Sequence, residues 1–259
     1  MREAISDYLQ NLERQENVRV VYAVESGSRA WGFASPDSDF DIRYIYIRPA
    51  EWYLSVQKRR DVLEAMVDPE LDFAGWDLQK ALVLLRKSNP SLIEWLASPI
   101  VYVEDVEFTA DFRALASQCV SLQACMKHYL SMASANWQSY FAAENVLLKK
   151  YLYVLRPIYA CRWIERYHTT PPVAFDDLLN GAGEPGEVAD ALGELLQLKA
   201  VTSELGARPH ISSLDKFIQA ELVRIRALKV EAPRPVDHEV LDGFFQQWIV
   251  EAFKQSYQN

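Results

Sequence analysis

An α/β (α+β) core with a short mixed sheet over residues 1–110, followed by an all-helical part over 111–259, is the fold class this sequence predicts. Three observations lead to it. As far as Val103, short apolar runs alternating with a period of two are interleaved with runs of helical period. From Thr109 onward helical periods dominate, and the breaks between them are rich in proline and glycine. With 259 residues, 50% of them hydrophobic, the chain can also bury a sizeable core, as one large domain or two ordinary ones.

The elements follow in order. Ile5, Tyr8, Leu9 and Leu12 recur at i, i+3, i+4 and i+7, the stripe of an amphipathic helix over the first fifteen residues. An apolar strand from Val18 to Val24 leads into Gly27-Ser28, and Ala30 to Pro36 make a helical turn and loop. In the next strand, Asp39 to Ile47, alternation puts Asp39, Asp41 and Arg43 on one face and Phe40, Ile42, Tyr44 and Tyr46 on the other. Pro49 ends it, Ala50 to Val56 is a short helix, and Lys58-Arg59-Arg60 reads as a solvated loop ahead of a phosphate contact. Val62 to Val67 forms a third strand, and Leu71 to Trp76 a fourth with Asp72, Ala74 and Trp76 on one face. Asp77 then caps a helix whose Leu78, Ala81, Leu82 and Leu85 turn inward, a structural role rather than a ligand's. Asn89-Pro90-Ser91 starts another helix, and Ile100 to Val103 adds an edge strand. Helices are expected over 111–140, 145–167, 187–205, 213–230 and 236–257, with breaks at 169–173, 181–186 and 232–236. The helical part is expected to pack against the α/β part, with the boundary near residue 110.

Bulk properties remove several classes of function. A net charge of −9 and a pI near 5.1 argue against non-specific binding of long duplexes and leave room for local binding of a strand end. Cys119, Cys125 and Cys161 are odd in number and lack C-x-x-C spacing, so they read as buried thiols in a reducing compartment. The four histidines fit no paired-ligand spacing. The first residues carry acids throughout and do not form a signal peptide, and no run of 18 apolar residues occurs; a cytoplasmic protein without a membrane partner is expected.

The chemistry concentrates between Glu25 and Arg43, ESGSRAWGFASPDSDFDIR. Gly27-Ser28 turns the chain at a strand end and frees backbone N–H groups for phosphate oxygens. Ten residues later, Asp39-Phe40-Asp41 places two carboxylates on one strand face, where they can share a divalent cation. Hard oxygen ligands suit Mg²⁺, which substrate phosphates then complete.

This G-S, ten residues, D-x-D pattern is similar to that of the DNA polymerase beta-like nucleotidyltransferase superfamily. The longer runs GSRAWG, SDFDIR, LDFAGWDLQKAL and KSNPSLIEWL resemble, more narrowly, the RNA-ligase-associated predicted nucleotidyltransferases of bacteria and phages. The α/β part is then a nucleotidyltransferase core. The resemblance implies a cradle for NTP phosphates at Gly27 and Ser28, metal ligands at Asp39 and Asp41, and a third carboxylate at Asp72, which lies between Leu71 and Phe73. Mg²⁺ or Mn²⁺ is the implied cofactor, and an RNA end, in the company of an RNA ligase, the implied acceptor. Transfer to a protein side chain or a small hydroxylated molecule is the alternative chemistry, and an inactive nucleotide-binding module the alternative class.

Arg29 and Arg43 are candidates for pairing phosphate oxygens, with a structural ion pair the other reading of Arg43. Lys80, one helical turn beyond Asp77, could reach the pocket mouth, with a solvated lysine the favoured reading. Lys149, Tyr153 and Arg156 share a helix face and are candidates for the nucleotide side of the cleft, or else form a surface stripe. The sequence fixes no oligomeric state.

Overall fold

The computed structural model describes residues 1–36, 38–181, 183, 186–201, 206–228 and 237–253, with Ala200 and Val201 described in backbone only. The break expected at 232–236 and the helix ends expected at 205, 230 and 257 lie outside the described residues.

The first elements are α1 (Arg2–Glu16), β1 (Arg19–Glu25), α2 (Gly27–Ala30), β2 (Phe40–Ile47), α3 (Ala50–Tyr53), β3 (Val62–Asp68) and β4 (Leu71–Asp77). Next come α4 (Leu78–Arg86), α5 (Pro90–Leu96), β5 (Val101–Glu104) and α6 (Val106–Cys119). The remainder is α7 (Leu122–Tyr140), β6 (Asn145–Leu147), α8 (Lys149–Tyr167), α9 (Phe175–Asn180), α10 (Gly186–Val201), β7 (Ala207–Pro209), α11 (Ser212–Ala227) and α12 (His238–Ala252). Several starts are fixed by caps: the side chains of Asp77, Asn89, Asp105 and Ser121 accept from the N–H of Gln79, Leu92, Phe108 and Ala124.

The chain forms two compact units, one of Met1–Gly27, Asp39–Val120 and Arg234–Asn259, the other of Ser28–Ser38 and Ser121–Pro233. Packing explains where the first unit gains residues. Phe108 and Phe112 of α6 are fully buried in the core shared with β1, α4 and α5, so the first unit runs on to Val120. Phe244 and Trp248 of α12 pack their rings against Phe108, which brings the C-terminal helix into the same unit. The segment after Gly27 belongs to the second unit.

In the first unit five strands form a mixed sheet in the order β3-β4-β2-β1-β5. β2 and β4 run parallel and the other neighbours antiparallel. One face carries Ile42, Tyr44, Tyr46 and Phe73 against Ile5, Leu9 and Leu12 of α1. The other carries Val21, Ile45 and Ile47 against α4, α5, α6 and α12. β2 is therefore buried on both faces from Tyr44 onward, and its polar residues Asp41 and Arg43 lie at its open start.

Among its described residues, the second unit's regular elements are helices apart from the antiparallel pair β6 and β7. Two expectations change here. The helix expected over 111–140 is broken at Val120-Ser121, where Ser121 caps α7 anew. The helix expected from Asn145 starts at Lys149, because Asn145–Leu147 pairs as a strand with Ala207–Pro209. Pro157 sits inside α8 and has no N–H for the carbonyl of Tyr153; the Asn136 amide of α7 donates to that carbonyl at 2.9 Å instead. The three cysteines are buried thiols, with burial pushing Cys125 up to about 12 and raising Cys161 also.

Candidate active site

The parallel pairing of β2 with β4 aligns Asp41 with Asp72 and Arg43 with Ala74. Adjacent strands thus present two carboxylates side by side, and the arginine two residues on along β2 reaches back between them. Its Nη2 donates to Asp41 Oδ1 at 2.8 Å and to Asp72 Oδ2 at 2.7 Å, while Nη1 donates to the carbonyls of Ile42 and Asp72. All three side chains are partly buried. Of the two readings of Arg43, the structure contains the ion pair. Burial raises the Asp41 carboxyl above its ordinary value; the Arg43 charge opposes that shift, and the charges of Asp72 and Asp39 add to it.

Two residues brace Asp41, Gly27 at the start of α2 and Glu25 at the end of β1. Gly27 has φ of +60°, and a Cβ there would lie 2.0 Å from Asp41 Oδ2, so only glycine lets the turn approach the carboxylate this closely. Glu25, fully buried, accepts the Asp41 backbone N–H at 2.7 Å on Oε1 and the Tyr102 hydroxyl in a short hydrogen bond on Oε2. A buried carboxylate is costly unless such donors reach it. Sequence reading passed over Glu25: nothing local separates it from any acid at a strand end, and its partners lie 16 and 77 residues away.

Asp39 lies exposed just before β2, close enough for its charge to act on Asp41. Among the described residues, no three acidic, histidine or cysteine side chains gather as a ready metal cage. Of the expected set of Asp39, Asp41 and Asp72, the structure sets Asp41 and Asp72 side by side in register, with Asp39 at the mouth of β2. The donor set nonetheless fits a hard divalent cation, since one oxygen from each of two carboxylates converges on one cationic nitrogen.

Ser28 and Arg29 belong to the second unit. There the segment 28–38 closes on itself: Phe33 N–H donates to the Ser28 carbonyl, and Arg29 donates to the Ser38 carbonyl at 3.1 and 2.7 Å. Trp31 fastens the loop to the helices. The Arg156 guanidinium lies 4.4 Å from its ring centroid, Tyr153 meets it edge-on, and its carbonyl accepts from the Phe175 N–H. Arg156 is buried and donates to the Val173 carbonyl, so this candidate nucleotide contact is placed as a packing residue of its own unit. Lys149 starts α8 half-buried, and together with burial, the larger cause, its charge lowers the ammonium of Lys199.

At the far end of β4, Asp77 caps α4 as expected, accepting the Gln79 N–H and the Tyr53 hydroxyl, each at 2.8 Å. Burial pushes its carboxyl up to about 6. Lys80 pairs with Asp61 at 3.0 Å. In the basic run, Arg60 pairs with Glu64 and Arg59 lies over the Trp52 ring. No helix among the described residues is long and apolar enough to cross a membrane.

Comparison with known proteins extends these local features to the whole chain. The family model described as the RNA repair pathway DNA polymerase beta family matches residues 1–247. A relative from Bacillus subtilis (strain 168), described as uncharacterized protein YcgL, is 44% identical over 225 residues, which is 87% of this chain and 86% of the relative. A solved nucleotidyltransferase-like protein from Exiguobacterium sibiricum 255-15 aligns over 98% of this chain and 79% of its own, at 11% identity and a TM-score of 0.32, too low to carry an argument.

Proposed function

This chain belongs to the RNA repair pathway DNA polymerase beta family and is a polymerase beta-like nucleotidyltransferase, and from that premise we propose that it transfers a nucleoside monophosphate from an NTP to the hydroxyl of an RNA end. The observation that carries the reading is the parallel register that sets Asp41 beside Asp72, with Gly27 against Asp41.

Asp41 and Asp72 would hold Mg²⁺ or Mn²⁺, with Asp39 joining from the mouth of the strand. Such a cation supplies positive charge to the phosphate oxygens and lowers the pKa of the acceptor hydroxyl. The chain's own groups bind and orient. The backbone N–H at Gly27 takes a phosphate oxygen of the NTP, and Glu25 fixes the Asp41 backbone by accepting its amide N–H. The acceptor oxygen then bonds to the α-phosphorus as the bond to pyrophosphate breaks. The net charge of −9 favours a strand end over a long duplex as acceptor.

Incubation of the protein with each labelled NTP, Mg²⁺ or Mn²⁺, and a panel of RNA, protein and small-molecule acceptors tests this. Label on RNA ends supports the reading. Label on protein or a small molecule keeps the reaction class and overturns the acceptor, and no transfer to any acceptor overturns both.

A further inference from the structure

We infer that Arg43 is a built-in counter-ion for the Asp41–Asp72 pair which a divalent cation must displace, so that metal entry and release of the arginine are one event. The inference deepens the proposed function by assigning regulation to the same site.

One guanidinium nitrogen lies within hydrogen-bonding distance of an oxygen from each carboxylate. A cation bridging those same two oxygens would occupy the position of Nη2, so the guanidinium and a bridging cation exclude each other there. The partial burial of all three groups strengthens the competition, because charges screened less by water interact more strongly. Arg43 is also held by two backbone carbonyls, Ile42 and Asp72, through its other nitrogen. Those contacts can retain the side chain near the site when Nη2 gives up the carboxylates, leaving that nitrogen to face an incoming anion. A planar fork of donors suits such an exchange from carboxylate to phosphate oxygens. On this account the two aspartates remain neutralised before loading, and the cation binds weakly alone and better with the triphosphate, whose oxygens give the freed guanidinium a new partner.

The test is a Mn²⁺ titration of the whole chain, without nucleotide or acceptor, followed by electron paramagnetic resonance of free Mn²⁺ and by melting. Arg43→Gln should melt lower than wild type in chelator, where the two carboxylates lose their cation. It should also bind Mn²⁺ about tenfold more tightly, a difference of about 1.4 kcal/mol. Arg43→Lys, which keeps the charge and loses the fork, should shift affinity in the same direction by less, and serves if the glutamine variant does not fold. An arginine that merely holds the fold would produce the lower melting temperature without tighter Mn²⁺ binding. Unchanged or weakened Mn²⁺ affinity in a folded variant therefore overturns the inference. The titration involves no transfer, so loss of the proposed reaction and loss of this competition are separate outcomes.

Discussion

The two ends of the β2–β4 pair carry aspartates in contrasting settings. At one end Asp41 and Asp72 face each other in register and share one guanidinium, with part of each side chain open to solvent. At the other end Asp77, opposite Tyr46 in the same ladder, is buried and takes its hydrogen bonds from a hydroxyl and a backbone N–H. The first pair is bridged by a charged side chain. The second is tied to fixed neutral donors that hold a helix start in place. What separates a candidate ligand from a cap is thus the kind of donor an aspartate meets, and both kinds occur on one strand, five positions apart.

The largest expected effect would break the comparison at the open end. Asp41→Asn keeps the side chain's shape and removes the charge that would hold a cation, so turnover should fall roughly 10²–10³-fold with the melting temperature close to wild type. Steady-state transfer and a melting curve on the same preparation check it. Near wild-type turnover would leave Asp41 outside the chemistry and make the two ends alike.

The converse change belongs to the closed end. Asp77→Ala removes the cap of α4 and strands the Tyr53 hydroxyl, two losses that together should cost roughly 2–4 kcal/mol of stability. Denaturant unfolding gives this directly. Turnover per folded molecule should change far less than in Asp41→Asn, and a comparable loss of turnover would place Asp77 in the site.

This contrast was partly legible in the sequence. The alternation in SDFDIR located Asp41, and the inward stripe Leu78, Ala81, Leu82, Leu85 marked Asp77 as a cap, because both signals lie within a few residues. The bridge from Arg43 to Asp72 was not legible, since it depends on β2 and β4 pairing parallel across 29 residues of sequence. The same holds for Glu25, for α12 returning to the first unit through Phe244 and Trp248, and for β6 pairing with β7. The role of Trp31 illustrates the limit most plainly: in the sequence it reads only as part of the helical turn and loop from Ala30 to Pro36, and its packing on Arg156 and Tyr153 fixes the loop within the helical unit.

A smaller effect is expected from pH, and it sharpens the closed end. The Asp77 carboxyl, ordinarily at 3.8, is pushed up to about 6 chiefly by burial. Between those values the native state holds the proton more tightly than the unfolded chain, so stability from this group is full at low pH and is lost as pH rises through about 6. Asp77→Asn cannot ionise and keeps a capping oxygen. Relative to wild type it should therefore gain on the order of 2 kcal/mol between pH 4 and pH 7, as measured by paired denaturant unfolding at each pH. A difference independent of pH would mean that Asp77 does not take up its proton on folding.

The smallest effect distinguishes Asp39 from both ends. It is exposed, and its charge reaches Asp41. Replacing it by asparagine removes one repulsion from the acidic face, so in chelator Asp39→Asn should melt slightly higher than wild type, by no more than about 0.5 kcal/mol. If Asp39 also helps to hold the cation, the rise in melting temperature brought by Mg²⁺ and ATP should shrink in the variant, because a ligand stabilises only in proportion to ln(1 + [L]/Kd). A higher melting point in chelator with an undiminished Mg²⁺–ATP shift would leave Asp39 a bystander charge and reduce the site to the pair that Arg43 bridges. A lower melting point in chelator would instead assign Asp39 a structural bond at the start of β2, making it a third kind of aspartate on the same pair of strands.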